Sequence, residues 1–138
     1  MKTRKIYKRA VVGIILGVLF GLLCFAGFSS NPDIPAEFAK YQVWSFSNLW
    51  IWSTVANRIL LGLLVGLGGT VTAMPVLKFK IPVALRGAKL GLLASLPMAL
   101  GALMGPNPEM AQKSFWIIFI FGAIIGLVID LILTKLYG

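Results

Sequence analysis

Catalysis and metal binding need side chains that can hold a proton, a metal ion or a charge, and this 138-residue chain has few of them. It contains no histidine, one cysteine (Cys24) and four acids, Asp33, Glu37, Glu109 and Asp130. Acid–base pairs, nucleophile triads and metal centres draw on the residues that are missing. A single cysteine leaves no internal disulfide, and Cys24 reads as a small buried apolar residue. The inventory predicts no enzyme, no metal site and no cofactor.

The charged residues of interest are those set inside apolar sequence, Arg58 and Asp130. An ionised side chain at the centre of a membrane span costs roughly 2.5–3.5 kcal/mol on insertion scales, so each should face other helices, pair, or reach the interface. Arg58 precedes Gly62 and Gly66 in four-residue steps, and Asp130 follows Gly122 and Gly126 in the same steps. Both therefore lie on small-residue helix faces. Asp130 falls about one turn from the end of its run, at the depth where Arg86 enters another, which predicts an Arg86–Asp130 ion pair; a proton- or ion-coupling role for Asp130 is the alternative. Asn57 and Arg58 lie several turns deep if their helix begins at Leu49, and near the interface if Trp44 to Trp52 lies flat. Arg58 then either snorkels or pairs with Glu109, or it selects anions along a route lined by Asp130 or by Gly68-Gly69-Thr70.

These residues must be positioned by membrane-spanning helices. The chain is 59% apolar with a mean hydropathy of +0.92, gathered into runs long enough for a hydrocarbon core of about 30 Å. In that medium only a helix satisfies its own backbone. The expected fold is all-α, one domain over residues 1–138, a polytopic bundle of four transmembrane helices near 10–28, 49–74, 83–105 and 114–136. The first run is longer than a signal-peptide core and is read as a retained anchor. Pro97 should bend the third helix. Leu77 to Ile81 alternates apolar and basic residues, as a segment lying on anionic headgroups would.

Charge sets the expected topology. Of the 13 lysines and arginines, Lys2, Arg4, Lys5, Lys8, Arg9, Lys78, Lys80, Arg86, Lys89 and Lys135 lie beside one set of helix ends, leaving Lys40, Arg58 and Lys113. By the positive-inside rule both termini are cytoplasmic, in the inner or plasma membrane, and the net charge of +9 marks lipid headgroups, not nucleic acid, as the partner. The four tryptophans, Trp44, Trp50, Trp52 and Trp116, gather at the opposite ends as an interfacial belt.

Each helix carries a stripe of small residues: Gly13, Gly17 and Gly21; Gly62 and Gly66; Gly87, Gly91 and Ser95; Gly122 and Gly126. Such stripes let helix backbones approach within lipid, either inside one chain or between copies, so a homo-oligomer or a larger membrane complex is an expected state. The first and third runs align, Gly13 on Gly87 and Gly17 on Gly91, and Gly62 to Leu67 matches Gly122 to Leu127, which suits a tandem repeat of two helical hairpins.

In size and span number the chain is similar to the small multidrug exporters, but its first span has no acid to act as their coupling carboxylate. Dual-topology fluoride channels, of similar size, need a nearly balanced charge distribution. The functional expectation is an accessory, assembly or interaction subunit acting through helix packing; the alternative is a small oligomeric permease or channel for a small solute or anion.

Overall fold

A computed structural model describes residues 2–69 and 81–138. They form four long helices, α1 (Lys2–Ser29), α2 (Leu49–Gly68), α3 (Val83–Ala102) and α4 (Pro108–Tyr137), with a short 3-10 helix at Ala36–Tyr41. All four are long and apolar enough to cross a membrane, which makes the chain a multi-pass membrane protein. Helices α2 and α3, 20 residues each, measure about 30 Å at 1.5 Å per residue, one hydrocarbon thickness.

Local chemistry sets the helix ends. Helix α1 starts at Lys2, not at Ala10, because the leader is mostly lysine and arginine, good helix formers, and has no glycine or proline to stop it. Asn48 caps α2, its Oδ1 accepting from the Trp50 backbone N–H at 3.0 Å. Helix α4 opens at Pro108, earlier than expected, because Asn107 Oδ1 accepts from the N–H groups of Glu109 and Met110 while the proline at the first position needs no partner. Helix α3 runs through Pro97 and ends at Ala102, followed by tighter i to i−3 bonds out to Gly105. Helix α2 ends at Gly68, capped by Gly69, short of the expected Met74; residues 70–74 and the alternation over Leu77 to Lys80 lie outside the described residues.

Glycine contacts define the packing. A Cβ added at Gly13 would collide with the Gly62 carbonyl, one at Gly17 with the Arg58 carbonyl, and one at Gly21 would come within 2.8 Å of Val55 Cα. Contact positions fall along α2 as they rise along α1, so the two helices are antiparallel. Helices α3 and α4 pair the same way, Gly91 against the Gly122 carbonyl and Gly126 against the Gly87 carbonyl. With lipid as solvent there is no hydrophobic drive between helices, and such backbone contact supplies dispersion energy that bulky side chains would prevent. The hairpins join along a core of Leu61 and Val65 from α2, Ala94 from α3, and Ile125, Ile129 and Leu133 from α4, with Val12, Leu16, Phe20 and a half-buried Cys24 packed on it from α1.

The two hairpins share an architecture but not the register of the repeat alignment. That alignment lays Gly13 and Gly62 on Gly87 and Gly122, yet Gly87 meets Gly126 and Gly122 meets Gly91. One helix must slide by a turn to superpose them.

Residues between α1 and α2 fold over the bundle end. Trp50 stacks on Phe28 and Tyr41, with ring centroids 5.4 and 5.2 Å away, and Trp44 meets Phe25 edge-on at 4.8 Å. Gln42 Nε2 donates to the carbonyls of Phe28 and Asn31, and Asn48 Nδ2 to those of Tyr41 and Val43. Trp44 and Trp50 thus also tie this segment to the helix ends.

Candidate functional site

The bundle carries polar groups at two levels. The first lies at the end shared by the start of α1 and the close of α4. Asp130 is fully buried, and its carboxylate is met from two other helices. Arg86 Nε donates to Oδ2 at 2.8 Å and Arg86 Nη2 to Oδ1 at 2.9 Å, a two-pronged pair across the α3–α4 contact. Arg9, 2% exposed, donates from Nη2 to Oδ1 at 3.0 Å and from Nη1 to the Leu133 carbonyl at 3.1 Å. Thr134, one turn along α4, donates to Oδ1 and accepts from Arg86 Nη2.

Glycine makes room for this cluster. A Cβ at Gly87 would come within 2.6 Å of Asp130 Cβ, so α3 lies close enough for its neighbour Arg86 to reach the carboxylate. A Cβ at Gly69, just past α2, would strike the Arg9 guanidinium. Three helices, α1, α3 and α4, therefore converge on one carboxylate, with the residue after α2 packed on the Arg9 guanidinium. Two guanidiniums on one acid leave a formal charge of +1, and Arg9 Nε is buried with no hydrogen-bond partner among the described residues. Both carboxylate oxygens accept from arginine, so a proton or cation arriving at Asp130 would compete with two ion pairs.

The second level is near mid-membrane. With α2 beginning at Leu49, Arg58 lies about 14 Å along a helix of about 30 Å. It is 3% exposed and donates from Nη1 to Ser95 Oγ at 2.8 Å, while Asn57 Nδ2 donates to the Ala94 carbonyl at 3.0 Å. Two adjacent residues of α2 thus grip two adjacent residues of α3. Gly17 and Gly21 of α1 press on the Arg58 backbone and Cβ, and the Ser95 side chain fills the space beside Gly122 of α4. Arg58 Nε and Asn57 Oδ1 are buried without a partner among the described residues.

Neither interface reading of Arg58 survives this placement. The guanidinium does not snorkel, because α1 and α3 enclose it at mid-depth, and it does not pair with Glu109, which holds Lys113 at 2.9 Å on the exposed start of α4. Two open grooves flank the bundle, one of about 330 Å³ lined by Lys89, Leu92, Leu93, Leu96 and Phe119, the other of about 240 Å³ lined by Tyr7, Lys8, Val11, Val12 and Tyr137. Arg58 and Asp130 line neither. Of the segment suggested as a route, Gly68 packs on Leu90, Gly69 packs on Arg9, and Thr70 lies outside the described residues.

Arg9, Thr134 and the polar role of Ser95 were not singled out from sequence. One signal was present: the step that runs Gly21, Gly17, Gly13 lands next on Arg9. Comparison with protein-family models, with curated proteins and with solved structures finds no match.

Proposed function

We propose that this protein is an accessory or assembly subunit of the cell membrane, with both termini cytoplasmic, that acts through helix packing and does not itself move a solute. The observation that carries this reading is the engagement of Asp130: the only acid within the spans away from their exposed ends is held by Arg9 and Arg86, which leaves no carboxylate free to couple transport. The glycine contacts support it as well, since they join the helices into a body whose outer faces offer apolar side chains such as Leu64, Leu93, Ile120 and Ile124 to lipid or to another membrane protein.

A second reading rests on Arg58. A guanidinium at mid-depth with no acid beside it among the described residues gives the bundle interior a fixed positive potential, as an anion path opening within the bundle would require. Anion flux into liposomes reconstituted with parent, Arg58→Lys and Arg58→Gln proteins separates the two readings. The accessory reading expects no flux above empty liposomes in all three. Flux in the parent that collapses in both variants would overturn it, because lysine cannot reproduce the planar donor fork.

A further inference from the structure

We propose that the groove between α3 and α4 headed by Lys89 binds one anionic phospholipid, with its phosphate on the ammonium and an acyl chain along Leu92, Leu93 and Leu96 against Phe119. This site is independent of whether the protein is an accessory subunit or a permease.

The axial order of the lining matches such a lipid. Leu92, Leu93 and Leu96 follow Lys89 by three, four and seven residues and so share its face of α3, extending about 10 Å deeper from the only charged residue of the groove. Phe119 of α4 forms the facing wall. Lys89 itself sits about 9 Å into α3 and is exposed on the outer face of the bundle, where α3 meets lipid. Its stem can lift the ammonium toward the interface, but the counter-charge must come from outside the described protein.

The acids are placed elsewhere. Asp130 is engaged by Arg9 and Arg86, Glu109 by Lys113 at the opposite end of the bundle, and Asp33 and Glu37 belong to the segment between α1 and α2 at that same opposite end. The carboxylate cluster one turn from Lys89 carries net positive charge, which raises the preference for a lipid with net negative charge over a zwitterionic one.

The test uses the full chain reconstituted in vesicles of phosphatidylcholine with a minor share of phosphatidylglycerol, extracted in mild detergent, with retained lipid counted by native mass spectrometry. The parent should retain one phosphatidylglycerol at several times its share of the vesicle. Lys89→Gln should abolish that preference, Lys89→Arg should keep it, and Leu93→Trp, whose indole fills the groove, should lower retention of both lipids. Lys113→Gln, at the opposite end, should behave as the parent. A parent without preference, or a Lys89→Gln protein that keeps it, would overturn the site. Loss of preference in Lys8→Gln alone would also overturn it, by moving binding to the groove of Tyr7 and Tyr137.

Discussion

Arg86 and Asp130 meet through two hydrogen bonds, Nε to Oδ2 at 2.8 Å and Nη2 to Oδ1 at 2.9 Å, at the level where Gly87 lets α3 touch α4. Removing one partner of a buried pair leaves the other charge uncompensated, at a cost of about 3–5 kcal/mol. Asp130→Ala, which removes the acid that Arg86 and Arg9 share, should lose at least the lower end of that range in denaturation followed in detergent. The charge-swapped pair Arg86→Asp with Asp130→Arg should recover only part of the loss, because Arg9 still needs an acid at position 130. A single variant as stable as the parent would remove the cluster as a source of stability.

Gly91 and Gly122 pack backbone on backbone, so Gly91→Ala drives a methyl into a carbonyl that has no side chain to move aside. Overpacking of this kind costs about 1–3 kcal/mol. Gly27→Ala and Gly101→Ala provide the contrast, because a Cβ there meets open space and alanine gains up to about 1 kcal/mol in helix propensity. Stability measured on the three proteins should therefore change sign between contact and open sites.

Asn48 holds the segment between α1 and α2 through one bond to the Trp50 N–H and two to the carbonyls of Tyr41 and Val43. Asn48→Ala should cost about 1–2 kcal/mol through the lost cap. Hydrogen exchange should rise over residues 36–50 and stay unchanged in α4. Uniform exchange across both regions would count against a local tie.

A cysteine placed at the exposed Asn107 in a Cys24→Ala background reports orientation. An impermeant thiol reagent should label it from outside the cell, as the distribution of basic residues requires. Labelling only after the membrane is opened would invert the topology and place the Arg9 and Arg86 end outward.

Long apolar runs matched to the membrane's thickness made the four helices readable in advance, but the start of α4 was not, because the Asn107 cap and Pro108 begin it before the apolar run expected from 114. The Arg86–Asp130 pair was readable because depth can be counted from helix ends. Arg9 was not, since a basic residue at the foot of an apolar run looks like every other leader charge until its helix is rotated; only the four-residue step from Gly13 separates it from Lys8. Arg58–Ser95 was hidden for a different reason. Serine in a glycine stripe serves equally as a small residue and as an acceptor, and sequence does not say which helix lies opposite.

The placement of Arg58 bears on how the chain enters the membrane during synthesis. Its acceptor Ser95 lies 37 residues further along the chain, and the acid that holds Arg9 lies 121 further. At synthesis rates of roughly 5–20 residues per second, Arg58 waits about 2–7 s and Arg9 about 6–24 s for a partner. Arg9 can spend that time among headgroups, near its final depth. Arg58 cannot, because α2 must carry it to mid-bilayer before α3 exists, so α2 should stay with the insertion machinery until Ser95 emerges. A chain stalled before Ser95 has left the ribosome should still cross-link to that machinery through α2, and one stalled after all of α3 has left it should have let go.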